Sequence, residues 1–265
     1  MRARWTKASL EIEPEKIARR LVFALRTYAR KSKARGGVVG LSGGVDSSVA
    51  IALAVKAFGK QNVVGLSMPG GEVGSSQDVR DARDFAVKLG CRFYTVDIGG
   101  LLSAFKRLVP VYEPQDRLSN GNLKPRIRML TLYYFANRLN YLVIGTSNKS
   151  EILTGYFTKY GDGASDVVPL GELYKTQVYQ LAKHVRVPLK IIGKKPTAGL
   201  WPGQYDEDEI GVAYSLLDLA LLGLGKGMKP SEVQTAIGLS RQEISRIMQL
   251  RKSSEHKRIG PVSLV

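Results

Sequence analysis

The sequence predicts an α/β protein: a doubly wound parallel sheet covered by helices, followed by a mainly helical C-terminal part. Three observations lead there. Up to residue 145, four short apolar runs alternate with segments of helical period. A glycine-rich loop joins the first of these runs to the helix after it. From about residue 173 the pattern turns helical and offers no further strand.

The elements follow in order. Ile17, Leu21, Leu25 and Tyr28 recur at helical spacing after Pro14, so residues 14–32 read as an amphipathic helix. Gly36-Gly37 stops it, and 38–41 is a short apolar strand. A helix over 47–58, ended by Gly59, precedes a strand at 62–68. A polar, Gly-containing loop leads to a helix over 76–89, a strand at 92–98 and a helix over 99–108. Pro110 to Pro125 reads as a loop, since Gly, Pro and Asn favour turns. A helix over 126–138 then leads into the fourth strand, 141–145. Apolar runs without polar alternation suit strands buried on both faces, and right-handed crossovers make the sheet Rossmann-like. Helices over 174–185, 206–222, 230–237 and 240–251 complete the chain. No linker tract or repeat divides it, so 1–265 is taken as one domain, with a nucleotide-binding core (1–172) and a helical part (173–265).

Composition narrows the function classes. With 265 residues, 44% hydrophobic and 24% charged, the chain can bury a sizeable core without staples. Cys91 is the sole cysteine, which excludes an internal disulfide and any cluster of cysteine ligands. It falls where a helix gives way to an apolar strand, the place of a small buried side chain rather than a nucleophile. The N-terminus has no apolar signal stretch and no run is long enough to span a membrane, so a cytoplasmic protein is expected. Forty Lys+Arg against 23 Asp+Glu give +17, a charge that attracts polyanions. The basic residues are spread along the chain instead of massed in one arm, so nucleotide phosphates are expected as partners and nucleic acid is not.

The sharpest signal is Gly40-Leu41-Ser42-Gly43-Gly44-Val45-Asp46-Ser47-Ser48 between a strand and a helix. Two glycines let the backbone turn tightly against a bulky anion, and the free N–H groups at the helix start favour a phosphate. The hydroxyls of Ser42, Ser47 and Ser48 can add hydrogen bonds, and Asp46 offers a hard carboxylate to Mg²⁺. No lysine follows the glycines, so this is not the Walker A loop, and the glycine spacing is not that of nicotinamide dinucleotide folds. The bland alternative is a helix cap rich in Ser and Gly.

Ser42 to Ser48, SGGVDSS, resembles the signature of the N-type ATP pyrophosphatases. That resemblance implies an adenine nucleotide alpha hydrolase-like fold, with the loop holding the β- and γ-phosphates, which leave together as pyrophosphate. A second constellation narrows the branch. Gly145-Thr146-Ser147-Asn148-Lys149-Ser150-Glu151, the run from Thr154 to Gly163, Asp166, the segment ending at Lys175, Lys195-Pro196-Thr197-Ala198 and Glu255-His256-Lys257-Arg258 occur in this order. From Gly36 to Arg258 they resemble the ammonia-dependent NAD synthetases.

The resemblance implies that Asp46 and Glu151 hold Mg²⁺, and two carboxylates from different loops at the C-terminal edge of a parallel sheet suit that ion. It implies that Gly40, Leu41, Ser42, Gly43, Gly44, Val45, Asp46 and Ser47 bind ATP together with Thr146, Lys175 and Thr197. Arg126, Lys159, Asp166, His256 and Lys257 would hold deamido-NAD across a homodimer interface, with Arg126, or else Arg128, reaching in from the partner subunit. Asp162 or Asp166 would capture ammonium as catalytic groups. Further ATP contacts in the 68–80 loop fall to Ser75 or Gln77. Each residue has a plainer alternative: Glu151 as a helix-start carboxylate, Asp162-Gly163 as a turn, Lys159 and Lys175 as surface charges. The implied reaction adenylates the pyridine carboxylate of deamido-NAD and lets ammonia displace AMP. The chain has no room for a glutaminase module, so free ammonia or a separate partner supplies the nitrogen.

Two rival readings share these residues. A tRNA-modifying ATP pyrophosphatase would carry the same loop, but with an RNA-binding module or sulfur-transfer cysteines. Residues 230–251 have helix-turn-helix spacing, which would suit a DNA-binding regulator. The plainer account is two helices packed on the core, with Ser240 as N-cap and Glu243 completing a capping box.

Overall fold

The computed structural model describes residues 6–70 and 76–264. Its elements run α1 (Pro14–Lys31), β1 (Gly37–Gly40), α2 (Val45–Phe58), β2 (Val63–Ser67), α3 (Ser76–Leu89), β3 (Arg92–Thr95), α4 (Gly99–Leu108), α5 (Arg117–Leu139), β4 (Leu142–Ile144) and α6 (Lys149–Thr154). The helical part adds α7 (Lys175–His184), α8 (Leu189–Ile192), α9 (Asp206–Ile210), α10 (Tyr214–Gly225), α11 (Pro230–Ile237) and α12 (Arg241–Ser253).

All four strands are parallel, in the order β3-β2-β1-β4. Val39 of β1 aligns with Gly65 on one side and Ile144 on the other. The chain steps outward from β1 to β2 and β3, then returns to lay β4 on the opposite flank. The crevice beyond the C-terminal ends of β1 and β4 is therefore a topological switch point, where sheets of this kind bind ligands.

Strand β1 is buried on both faces, as its unbroken apolar run requires. Val38 packs with Leu102, Ile127 and Ala136 of α4 and α5, whereas Val39 packs with Leu25, Leu53, Phe85 and Leu181 of α1, α2, α3 and α7. Helix α2 is apolar nearly all round, with Val49, Ala50, Ile51 and Leu53 fully covered, so it is an interior helix. Burial of Val49, Ile51 and Leu53 contributes about 1.5–3 kcal/mol each. A separate cluster around α10 joins Leu10, Ile210, Leu217, Leu221, Val233, Ile244 and Ile247.

Three boundaries differ from those read in the sequence. Helix α5 begins at Arg117, inside the stretch expected to be loop, because Asp116 caps it (Ser119 N to Asp116 Oδ1, 2.9 Å). Pro125 lies within that helix and is buried, and Gly121 passes close under Trp201, so packing overrides the local preference of both residues. The single helix expected over 206–222 is two, broken where Gly211 (φ 81°) closes α9. Strand β3 stops at Thr95 rather than 98. The turn between α11 and α12 is built on the reciprocal bonds of Ser240 and Glu243 (3.1 and 2.7 Å), with Val233 and Ile247 in the core. Among the described residues no helix is long and apolar enough to cross a membrane.

Candidate active site

The loop after β1 enters α2 through Gly44 at the N-cap. Gly43 has φ +80°, and a Cβ there would stand 2.6 Å from the backbone oxygen of Asp78, so turn and close approach both demand glycine. Ser42 Oγ lies 3.2 Å from Ser47 Oγ and accepts from Gly44 N at 3.3 Å. The exposed Ser42 hydroxyl thus stands beside the open N–H groups of the first turn, with Ser47 buried behind it, its hydroxyl also donating to the Gly44 carbonyl (3.1 Å). Ser48 does not join them. It is buried and its hydroxyl turns back onto the Gly44 carbonyl (2.8 Å), the ordinary bond of a serine one turn into a helix.

Across the switch point, α6 presents the second carboxylate. Asn148 caps this helix, accepting from Glu151 N (3.0 Å) while its own N–H donates to Glu151 Oε2 (3.1 Å). Its amide nitrogen also reaches Asp46 Oδ1 at 3.0 Å, tying the two acid loops together. Glu151 is therefore a helix-start carboxylate, but only one of its oxygens is engaged there. The other, Oε1, lies 3.4 Å from Lys175 Nζ, and Asp46 Oδ2 is 2.5 Å from the same ammonium. Lys175 is 2% exposed, so it is no surface charge.

The burial of Lys175 is engineered from below. Its backbone N–H at the start of α7 donates to Ser150 Oγ (3.0 Å), which donates to Asp218 Oδ1 (2.5 Å). Asp218 Oδ2 accepts from Thr176 N (2.8 Å), so a fully buried carboxylate answers the helix start that carries the lysine. The Tyr214 ring covers the ammonium at 5.2 Å. Tyr214 also donates to Asp206 Oδ2 (3.1 Å), whose buried Oδ1 has no hydrogen-bond partner among the described residues. Burial pulls the Lys175 ammonium down, but Asp46 and Glu151 outweigh it and hold it above its ordinary value. Burial pushes Glu151 up against the pull of Lys175, and raises Asp206 as well. Asp46, Glu151 and Asp206 share one ammonium, so acid outnumbers base in this cluster.

A second cluster gathers beside it. Lys159 Nζ donates to the His256 carbonyl (2.6 Å), and Lys257 Nζ donates to the carbonyls of Gly155 (2.8 Å) and Phe157 (2.9 Å). Arg258 caps the carbonyls of Leu153 (3.1 Å) and Arg251 (2.7 Å), fastening the C-terminal segment to the ends of α6 and α12. Arg126 Nη2 reaches the Lys159 carbonyl (3.4 Å), and Asp162 Oδ1 accepts from Thr158 N (2.9 Å). Arg126, Lys159, Asp162, His256 and Lys257 are thus brought together.

Of the other expected residues, Asp166 and Arg128 bond core backbone, and Arg128 also feels the charge of Asp162. Asp166 accepts from Val143 N (2.7 Å) and Tyr133 OH (3.3 Å), satisfying the open edge of β4 next to the Ile144–Val167 bridge. Arg128 donates to the Met68 carbonyl (3.0 Å). Thr146 is half-buried immediately after β4. Thr197 is exposed, with its hydroxyl accepting from Gly199 N (3.0 Å). Gln77 donates to Asp81 (2.8 Å), and Ser75 falls outside the described residues.

Asn148, Asp206, Asp218 and Lys194 escape a sequence reading. Asn148 three residues before Glu151 does carry a capping signal, and Asp218 is conspicuous as a lone acid among the leucines of α10. Lys194, which bonds the Gly43 carbonyl (3.1 Å), has no local mark at all.

The family described as NAD synthase matches residues 17–261 of the chain. An NH3-dependent NAD+ synthetase of Methanosarcina mazei is 44% identical over 247 residues, covering 93% of this chain and 96% of that protein. Among solved structures, an NMN synthetase from Francisella tularensis superposes with a TM-score of 0.85 at 37% identity, over 96% of this chain and 99% of that one. An NH3-dependent NAD synthetase from Campylobacter jejuni, solved with a nitrate ion, gives 0.80 at 30% identity, over 96% and 100%. Motif order, sheet topology and matched length agree, and the chain belongs to the NAD synthase family.

Proposed function

We propose that the chain is an ammonia-dependent NAD synthetase, which uses ATP and ammonia to amidate deamido-NAD and releases NAD, AMP and pyrophosphate. The observation that carries this reading is the meeting of the phosphate loop with Asp46, Glu151 and Lys175 at the sheet's switch point, in a chain of this family.

The acid pair fits Mg²⁺. Its carboxylates outnumber the local cation, and a buried oxygen of Asp206 beside them has no hydrogen-bond partner among the described residues. Two carboxylates suffice for an ion that keeps several waters and takes substrate phosphates. We assign Asp46 and Glu151 to hold it. When bound, Mg²⁺ offsets charge on the departing diphosphate.

The chain's own residues orient the rest. Gly40 to Ser47, with Ser42 and Ser47 hydroxyls, hold the β- and γ-phosphates, Lys175 contributes the fixed cation, and Thr146 and Thr197 belong to the same nucleotide site. Arg126, Lys159, His256 and Lys257 hold deamido-NAD. The pyridine carboxylate attacks the α-phosphorus and pyrophosphate leaves. Ammonia then attacks the acyl carbon, AMP departs with one carboxylate oxygen, and one proton must be removed. Burial raises the Asp162 carboxyl above its ordinary value, so we assign the proton to Asp162. Asp166, whose oxygens each accept one bond from Val143 or Tyr133, stays in the deamido-NAD site. Positioning and charge stabilisation supply most of the acceleration. A homodimer with the dinucleotide at its interface is supported by exposed Leu130 and Tyr134 on α5, the helix that carries Arg126. We take 1–265 to act as one cytoplasmic unit.

The test is incubation with ATP, Mg²⁺, deamido-NAD and ammonium, each omitted in turn. NAD and AMP are expected in equal amounts, and ADP as the product would refute the reading. The similarity to an NMN synthetase favours a second acid substrate, deamido-NMN, which bears the same carboxylate. Parallel assays with the two acids decide between them.

A further inference from the structure

The phosphate loop is gripped from behind by a residue no motif marks. Lys194, just past α8, uses all three ammonium donors: to the Gly43 carbonyl (3.1 Å), Asp78 Oδ1 (2.6 Å) and Asp81 Oδ2 (2.6 Å). Asp81 is 2% exposed and is also bonded by Lys190 (2.8 Å) and Gln77 (2.8 Å). The ammonium therefore joins the loop, the first turns of α3 and the segment leading to Thr197.

The Gly43 carbonyl belongs to the peptide whose N–H is that of Gly44. In a trans peptide these two groups point in opposite directions. With the oxygen held by Lys194, the N–H emerges on the side of Ser42 Oγ, which it meets at 3.3 Å, a long bond that a phosphate oxygen can replace. Glycine on both sides makes this plane cheap to turn. Turned over, it would present a carbonyl oxygen to the phosphates in place of a donor. A cation on the carbonyl removes that freedom.

We propose that Lys194 is a positioning residue for nucleotide binding, which holds the Gly43–Gly44 peptide with its N–H toward the β- and γ-phosphates. The assignment rests on the ATP site proposed above. A merely structural role, through the ion pair with Asp81, is the competing account, and Lys190 separates the two because it bonds Asp81 without touching the loop.

The experiment compares Lys194→Met, Lys194→Arg and Lys190→Met with the wild type. It measures binding of the uncleavable α,β-methylene ATP by calorimetry, the KM values for ATP and deamido-NAD, and thermal stability. Asp81 keeps Lys190 and Gln77 in Lys194→Met, so the variant is expected to fold. Its analogue Kd and ATP KM should rise roughly tenfold, the loss of one charge-assisted bond, while the deamido-NAD KM stays within about twofold. Lys194→Arg should recover most of the loss, and Lys190→Met should show none. A rise below about threefold, an equal rise in Lys190→Met, or no recovery with arginine would overturn the proposal. If the wild type binds the analogue but makes no NAD, the functional reading fails while the binding comparison still decides the role of Lys194.

Discussion

Replacing Lys175 by methionine leaves Asp46 and Glu151 facing one another with no counter-charge between them. The lysine side chain is 3% exposed and its partners 17% and 15%, so water enters only at the acid side. Removing one partner of a buried ion pair costs about 3–5 kcal/mol, and the partial wetting of the acids moves the expectation to the lower end, about 3 kcal/mol. For a chain of this size each kcal/mol shifts the melting temperature by about 2–4 °C, so a fall on the order of 10 °C is expected in chelator. Glu151 already sits above its ordinary value of 4.5 through burial, and losing Lys175 removes the pull that opposes the rise. A carboxyl raised in the folded state binds more protons folded than unfolded above pH 4.5, so stability declines as pH climbs toward its folded value. The gap to wild type should therefore be wider at pH 8 than at pH 5. Millimolar Mg²⁺ should return more of the lost stability to the variant than it adds to the wild type, since the ion takes up the vacated charge. The assay is thermal denaturation followed by circular dichroism, with and without Mg²⁺. A variant melting within about 2 °C of wild type in chelator would refute the reasoning that Lys175 is the counter-ion of this pair.

Three further outcomes follow from particular residues. Gly43→Ala puts a Cβ 2.6 Å from the Asp78 carbonyl oxygen at φ +80°, so ATP binding should weaken by at least about tenfold in calorimetry, with global stability lowered by a few kcal/mol at most. Asp81 is held down at about 2, burial being outweighed by Lys190, Lys194 and Gln77, so it stabilises the fold fully above its ordinary 3.8 and loses that contribution as pH falls through about 2. Asp81→Asn should be less stable than wild type at pH 6 and converge with it in acid denaturation below that window. Cys91 is buried and pushed up to about 11 by desolvation, so native protein at pH 8 should react with an aromatic disulfide reagent only at the rate of unfolding, measured by absorbance in a urea series.

Legibility in the sequence tracked how local each determinant is. The loop from Ser42 to Ser48 could be read because its demands are local: a positive φ at Gly43, an open helix start and hydroxyls within one turn. Helix α5 could not be delimited, since Gly121 and Pro125 argue for a loop and only their packing under Trp201 and in the core reverses this. Lys175 could be read as a nucleotide-site lysine from its motif, but its burial and its ion pair could not, because its partner Asp46 lies 129 positions away. Asp206 and Lys194 acquire meaning only when the helical part folds back over the sheet's edge. Asp166 was legible as a carboxylate within the motif order, but its bonds to Val143 and Tyr133 were not, because those partners lie 23 and 33 positions away.

The central claim is that the acid's own oxygen attacks the α-phosphorus of the nucleotide held by the loop. Deamido-NAD labelled with ¹⁸O in its pyridine carboxylate tests it directly, by mass spectrometry of the products after turnover with ATP, Mg²⁺ and ammonium. One labelled oxygen should appear in AMP and none in pyrophosphate. Label in pyrophosphate or inorganic phosphate, with AMP unlabelled, would place the attack elsewhere and contradict the account.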